Sequence, residues 1–380
     1  MAKRKRRRIL VTGVARWWGA LLVQRLIERD DVAEVIGIDT REPHHDLGRA
    51  DFLKLDIRHS AVGKLLRAVG TDTVVHTLTR IDSFDLDARR AHETNVIGTL
   101  NLLAGCAGGE SPVRRFVLKS SSHVYGSRPD LPQNLREDAP LDGDSAHAFV
   151  RDMVEAESYV ADFARRHAGI EILSLRFANS LNPEEPQPLA RYLDLEVVPT
   201  VAGHDPRLQL IHRDDCVEAL LLATLRGRAG AYNIAGSRPL PLIELLERAG
   251  KVHAPVIPPI ALGLTAAVLR RLGLAFLSPQ LLDLLRYGRT LSTAKAAREL
   301  GFRARRDTAA AFTDYVKERR MVRYQPDRQA YLYEKELEDF IHSRALALNQ
   351  DGSEAAAAEP VVAARSPRPR PRRRSRSPRR

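Results

Sequence analysis

The sequence predicts an α/β protein built on a doubly wound parallel sheet, with a smaller mixed α/β lobe. Three observations predict this. Short β-branched runs alternate with helical patterns through the first 180 residues. A glycine-bearing turn joins the first run to the first helix, and an aspartate closes the second run 20 residues past the last glycine of that turn. Alternation of this kind gives a parallel sheet covered by helices on both faces, with right-handed crossovers.

Ile9–Thr12, Glu34–Asp39, Phe52–Asp56, Thr73–His76, Phe116–Lys119 and Ile172–Phe177 read as strands. Several are apolar throughout, as strands buried on both faces must be. Leu21–Glu28, Ala61–Ala68, Ala88–Leu103 and Phe149–Arg166 carry the helical spacing between them. After about Leu181 the rhythm changes. Short strands at Leu195–Val198, Leu208–His212 and Ala231–Ile234 mix with helices at Asp214–Leu225 and Leu240–Ala249.

Composition narrows the function classes. A chain of 380 residues with 44% hydrophobic content supports an ordinary core. No charge-free apolar stretch reaches the length of a membrane span, so none is expected. Lys3–Arg8 resembles the basic start of a secretion signal, but only Ile9, Leu10 and Val11 follow it, so no such signal is expected. Cys106 and Cys216 do not make a disulfide framework, and a reducing, cytoplasmic setting is expected. The net charge of +12 is concentrated at the ends: Lys3–Arg8 holds 6 basic residues and Arg365–Arg380 holds 9. The remaining 45 basic residues face 48 acidic ones, which argues against a basic nucleic-acid-binding body. There is no Cys/His cluster with ligand spacing, so no metal is expected.

The first strand runs into Thr12-Gly13-Val14-Ala15-Arg16-Trp17-Trp18-Gly19 and then a helix. Glycines in such a turn let backbone approach a pyrophosphate, and the helix end supplies amide donors. Asp39 stands where a carboxylate meets the adenosine ribose, which favours NAD(H) over a 2′-phosphorylated cofactor.

More motifs follow in order: Leu55-Asp56-Ile57, Val74-Val75-His76-Thr77-Leu78-Thr79, Asn95-Val96-Ile97-Gly98-Thr99, Ser120-Ser121-Ser122-His123-Val124-Tyr125-Gly126, Leu175-Arg176-Phe177-Ala178-Asn179, Ile211-His212-Arg213-Asp214-Asp215 and Tyr232-Asn233-Ile234. Together with the turn they resemble the extended short-chain dehydrogenase/reductase family. The resemblance is to its NAD-dependent epimerase/dehydratase branch, UDP-glucose 4-epimerase-like, over roughly residues 8–315. It implies a Rossmann-type domain, NAD as cofactor, and a nucleotide-sugar-like ligand. It places Thr12, Gly13, Arg16, Gly19, Asp39, Asp56, Ile57, Thr77, Thr79 and Asn95 on the cofactor, and Arg176, Asn179 and His212 on the substrate. Arg176 is the side chain suited to a bidentate phosphate contact. Relatives often dimerise through a helix pair that includes the one starting near Phe149, so a homodimer is expected. The expected organisation is a basic tail over 1–8, an NAD-binding domain over 9–180, a substrate-side lobe with C-terminal helices over 181–345, and a disordered tail over 351–380.

Two departures stand against that pattern. Arg16 replaces the turn's middle glycine. It either crowds the diphosphate, swings out to pair with it, or points to solvent. The family's Tyr-x-x-x-Lys pair is missing as well. Counting back from Glu155-Ala156-Glu157 puts Phe149 at the tyrosine position and Met153 at the lysine position. Four-residue spacing would set a phenol and an ammonium on one helical face, where the ammonium lowers the phenol's pKa for proton exchange. Phe149 and Met153 move no proton. Ser121 is retained at the strand position. Tyr125, His123, His147 and Asp152 are the nearby substitutes, and Tyr331 with Lys335 reads as a solvated helix face.

The leading expectation is an NAD(H)-binding protein with weak or no conventional redox catalysis. One rival is a working nucleotide-sugar epimerase or hydroxysteroid-type oxidoreductase with a rearranged acid/base. Another is a polyanion-binding protein acting through the Arg365–Arg380 segment, whose charge suits nucleic acid or anionic lipid equally. Phosphorylation at its Ser-Pro sites would weaken such a contact. The Ile257–Leu274 stretch reads as helices of the smaller lobe, with a lipid-facing role as the alternative.

Overall fold

The computed structural model describes residues 6–80, 88–108, 110–185, 187–256 and 278–324. The chain divides into two units, Met1–Arg320 and Met321–Arg380. Met321–Tyr324 of the second are helical, and everything below concerns the first.

Seven strands form one parallel sheet: β1 (Arg7–Thr12), β2 (Val32–Asp39), β3 (Asp51–Lys54), β4 (Thr73–His76), β5 (Arg115–Ser121), β6 (Glu171–Phe177) and β11 (Gly230–Ile234). Their order is β3-β2-β1-β4-β5-β6-β11. The order reverses between β1 and β4, and ligands of open α/β sheets bind at such a reversal, beyond the carboxyl ends of the strands. One face is covered by α1 (Trp17–Ile27) and α7 (Arg213–Leu225), whose Leu22, Leu26, Leu220 and Ala223 share a core with Val11 and Val117. The other carries α2 (Ala61–Val69), α4 (Gly98–Ala107) and α5 (Ala148–Arg166), meeting Leu10, Val74 and Leu118 through Leu66, Leu102 and Val160. Every residue of β4 is buried, Thr73 and His76 included, so the strand shows no alternation of buried and exposed positions.

The structure moves four expected boundaries. The basic tail does not extend to residue 8, because Arg7 and Arg8 already belong to β1. The Arg7 guanidinium donates to the carbonyls of Thr224 and Leu225 at 2.9 and 2.8 Å, and Arg8 donates to Val69 O at 2.8 Å. Both cations sit at the negative ends of helices, which need carbonyl partners there. The third strand stops at Lys54, since the Asp56 carboxylate accepts from the Arg58 amide at 2.9 Å and turns the chain. The expected helix over Ala88–Leu103 is interrupted. A π-turn at Glu93–Ile97 separates α3 (Ala88–His92) from α4, and Asn95 within it bonds both the amide and the carbonyl of Arg80 at 2.8 Å. Ala231–Ile234, expected as a strand of the smaller lobe, lies within β11 (Gly230–Ile234), the edge strand of the main sheet, paired with β6 and carrying fully buried Tyr232 and Ile234.

The smaller lobe holds β7 (Asn179–Ser180), α6 (Pro188–Leu193), β8 (Val197–Val201), β9 (Arg207–Leu208), β10 (Leu210–Ile211), β12 (Leu240–Pro241), α8 (Leu242–Arg248), β13 (Val252–Val256), α9 (Pro279–Tyr287) and α10 (Thr308–Tyr324). Its core packs Leu189, Tyr192, Leu245, Leu284 and Phe312. The two cysteines are buried free thiols. Ile257–Leu274, Tyr331, Lys335 and the arginine-rich segment lie outside the described residues.

Candidate functional site

The glycine-bearing turn forms as the sequence requires. Gly13 has φ +81°, a left-handed backbone that favours glycine. A Cβ at Gly19 would lie 2.6 Å from Gly13 O, so the helix start and the turn touch backbone to backbone. Thr12 and Thr77 tie β1 to β4: the Thr77 hydroxyl donates to Thr12 O at 2.6 Å, and Thr12 Oγ1 lies 2.7 Å from His76 Nδ1. His76 is buried, and desolvation, aided by the Lys119 charge, lowers its pKa to about 3. The Asp39 carboxylate, buried at the end of β2, accepts from the Ala15 amide of the turn at 3.1 Å and from the Arg41 amide at 3.2 Å. The turn, the Asp39 carboxylate and Thr77 therefore meet at the sheet's reversal point.

The other cofactor candidates divide. The Asp56 carboxylate is held by Arg58 at 2.6 Å, which lowers its pKa. Ile57 packs under α4, where a Cβ at Gly98 would fall 2.5 Å from its Cδ1. Asn95 is spent on the Arg80 backbone. The Thr79 hydroxyl accepts from Lys119 Nζ at 2.6 Å.

Arg16 meets a carboxylate from within the chain. Its Nη1 lies 3.3 Å from Glu185 Oε2, while the Trp17 amide donates to Glu185 Oε1 at 3.1 Å. The carboxylate comes from the loop after β7. The two tryptophan rings stack at 4.2 Å, and Trp18 meets Phe177 edge-on at 5.0 Å.

On the catalytic side, Phe149 and Met153 are 2% and 1% exposed, facing the core that holds Val124 and Tyr125. Ser121 Oγ lies 2.6 Å from His123 Nδ1, and the His123 ring stands edge-on to Phe149 at 5.7 Å. Burial, then the charges of Arg289, Lys119 and His147, holds His123 well below its ordinary pKa. The imidazole is therefore neutral, and its Nδ1 and the Ser121 hydroxyl share one hydrogen bond. Lys119 shares the Ser121 face of β5, two residues earlier. Its ammonium lies 4.6 Å over the Trp18 ring. Burial and the nearby Arg16 guanidinium lower its pKa to about 8. Tyr125 donates to Asn233 Oδ1 at 2.8 Å and accepts from Arg176. Asp152 pairs with His92 at 2.8 Å and His147 with Asp283 at 3.0 Å.

The substrate candidates need correction at one position. Arg176 is not free to grip a phosphate. Its guanidinium is 7% exposed and engages Glu157 in a bidentate pair, with Nη2 2.6 Å from Oε2. Ser120 donates to the same carboxylate. A guanidinium fork on β6 meeting a carboxylate on α5 fastens that helix to the sheet. Asn179 is half-buried at the start of β7. His212 caps α7, accepting from the Asp214 amide at 3.1 Å, and lies 3.1 Å from Arg306 Nη1.

Sequence reading missed three residues. Lys119 interrupts an apolar strand, and that was a usable signal. Glu185 reaches the turn only through the loop after β7, so nothing local marked it. Arg289 is buried, donates to Gly126 O and Ser127 Oγ at 3.1 and 3.3 Å, and keeps Nη2 without a partner. Burial lowers its pKa to about 10. With Arg128, Arg207 and Arg286 it lines a cavity of about 690 Å³ between the 128–135 loop and the end of α9. Among the described residues no three His, Cys, Asp or Glu side chains converge as metal ligands, and no helix is long and apolar enough to cross a membrane.

Sheet order, glycine turn and terminal aspartate define a Rossmann-type fold with a second, smaller lobe. The chain belongs to the NAD-dependent epimerase/dehydratase family, whose model matches residues 9–235. An uncharacterized protein of Mycobacterium tuberculosis is 36% identical over 316 residues, covering 82% of this chain and 84% of its own. UDP-glucuronic acid decarboxylase 1 of Arabidopsis thaliana is 29% identical over 268 residues, 66% of this chain and 60% of its own. In fold the chain is similar to the UDP-glucose 4-epimerase of Thermotoga maritima, solved with UDP-glucose, with TM-score 0.63, 22% identity, and coverage of 83% of this chain and 99% of that one. It is similar also to the dTDP-glucose 4,6-dehydratase of Bacillus anthracis, solved with NAD, with TM-score 0.62, 17% identity, and coverage of 82% and 96%.

Proposed function

We propose that the protein binds NAD(H) and a nucleotide-sugar-type ligand, with little or no conventional redox turnover. One observation carries the catalytic half of this reading: the positions expected to hold the phenol and the ammonium hold Phe149 and Met153, both sealed in apolar core. Losing a positioned acid/base group costs about 10²–10⁴ in rate, and here both partners are absent.

The cofactor half is supported by the backbone contact of Gly13 with Gly19 and by the Asp39 carboxylate beside the turn. A bound NAD⁺ would supply a hydride acceptor. The chain would contribute Asp39 toward the ribose hydroxyls and the amides of the turn toward the diphosphate. The substrate half is supported by the cavity lined by Arg128, Arg207, Arg286 and Arg289, whose charge suits a phosphate. The similar solved structures hold UDP-glucose and NAD.

A second reading, a working enzyme, is favoured by the Ser121–His123 contact with Lys119 on the same strand face. A neutral histidine bonded to a serine hydroxyl is an acid/base pair in its own right.

Calorimetric titration with NAD⁺ and NADH, followed by incubation with UDP-glucose and NAD⁺, separates the readings. Binding without sugar interconversion or reduced-nicotinamide absorbance is expected, with turnover appearing in Phe149→Tyr/Met153→Lys. Turnover by the unaltered protein that is lost in His123→Ala establishes the second reading.

A further inference from the structure

The start of α1 is already engaged by an anion from within the chain. The Trp17 amide and Arg16 Nη1 both bond the Glu185 carboxylate, at 3.1 and 3.3 Å. Arg16 is the helix N-cap yet makes no capping bond with its own side chain, so Glu185 serves the exposed donor instead. Helix starts of this kind receive the diphosphate of a dinucleotide.

Glu185 and Asp39 set two carboxylates against Arg16, Arg41, Arg80 and Lys119 around the turn. The pKa of Lys119 is lowered by burial and by Arg16, and that of Arg80 by burial, Arg16 and Arg41. These cations crowd one another, and Arg16 Nε is buried without a partner. Glu185 adds a single negative charge to that of Asp39, whereas a dinucleotide's diphosphate in its place brings two.

We propose that Glu185 stands in for the cofactor diphosphate, and that a dinucleotide enters only by displacing Glu185 from the Trp17 amide and Arg16. Arg16 then keeps an anionic partner throughout, exchanging carboxylate for phosphate. Glu185 and Arg16 together set how tightly the protein holds its cofactor. The inference rests on the NAD-binding reading above, and its test separates the two.

Trp17 and Trp18 are the chain's only two tryptophans, so tryptophan emission, excited at wavelengths where tyrosine does not absorb, reports on this turn alone. NAD⁺ is titrated by calorimetry into the full chain, into Glu185→Gln, and into Glu184→Gln as a control, since Glu184 pairs with His45 at 3.6 Å instead. Far-ultraviolet circular dichroism checks that each variant is folded. Glu185→Gln is expected to bind NAD⁺ at least about tenfold tighter, equivalent to 1.4 kcal/mol, with Glu184→Gln unchanged. Adding Arg16→Ala to Glu185→Gln is expected to reverse most of the gain. Equal binding by the full chain and Glu185→Gln overturns the stand-in and leaves the NAD reading intact. If no protein binds NAD⁺, the NAD reading fails and inorganic pyrophosphate decides the rest. A tryptophan emission shift at lower pyrophosphate in Glu185→Gln than in the full chain upholds the stand-in. Matching curves, or no shift in either, remove it.

Discussion

The ammonium of Lys119 lies 2.6 Å from the Thr79 hydroxyl and 4.6 Å from the centre of the Trp18 ring. A hydroxyl and a ring face solvate a cation less well than water does, which is why the amine's pKa falls to about 8. Between that value and the unfolded lysine value of about 10.4, the unfolded chain holds a proton that the folded chain has released. Stability therefore rises with pH across this window. Below it, the folded protein carries the full cost of the charge. Lys119→Met is expected to stabilise the protein by on the order of 2 kcal/mol at pH 7. The gain should shrink toward nothing by pH 10. Urea unfolding midpoints at the two pH values measure this, and a variant less stable at pH 7 would contradict it.

His76 sets the acid side. Its imidazole bridges Thr12 and Thr99 at 2.7 and 3.1 Å and stays neutral, with its pKa lowered by burial to about 3. An unfolded histidine takes up a proton near pH 6.5, so stability present above that value is lost as the pH falls. His76→Asn lowers stability at pH 7 by leaving the threonine hydroxyls poorly partnered. It also removes this titration. The unaltered protein should then lose about 2 kcal/mol more than the variant between pH 7 and pH 5. Parallel pH profiles for the two proteins would exclude the assignment.

Met153 is the place to test whether the site has become core. It is 1% exposed. An amine placed there must either lose its charge or be buried charged, and either costs free energy. Met153→Lys alone is expected to destabilise the protein by about 2–4 kcal/mol. Part of the loss should return when Phe149→Tyr supplies a hydroxyl one helical turn away. Thermal midpoints of the single and double variants give the result. A single variant as stable as the parent means the pocket still admits water.

The sheet was legible because its strands are apolar and evenly spaced, and the turn because Gly13 and Gly19 meet backbone demands that no other residue satisfies. Phe149 and Met153 were legible as neighbours for a similar reason, since four-residue spacing puts them on one face of α5, and both are buried there. What sequence reading could not show was partner choice. Arg176 has the chemistry to bind a phosphate, and only the packing of α5 on β6 reveals that Glu157 already holds it. Arg16 likewise displays a charge without saying which anion it meets, because Glu185 lies 169 residues away. Ala231–Ile234 was grouped with the smaller lobe since an edge strand carries no local mark of its sheet.

The Arg176–Glu157 pair yields the sharpest structural expectation. Both side chains are nearly sealed from solvent, at 7% and 5% exposure. Burial alone would depress the arginine's pKa, but the Glu157 carboxylate outweighs it and the pKa rises. Removing one partner strands the other charge in a medium that cannot solvate it. Glu157→Gln is therefore expected to cost about 3–5 kcal/mol, and Arg176→Met a similar amount. Replacing both as Glu157→Gln/Arg176→Met removes the stranded charge, so the double variant should cost clearly less than the sum of the singles. Urea unfolding of the four proteins in a double-mutant cycle measures the coupling. If the single losses simply add, the two residues are not the paired fastening of α5 to β6 that their geometry describes.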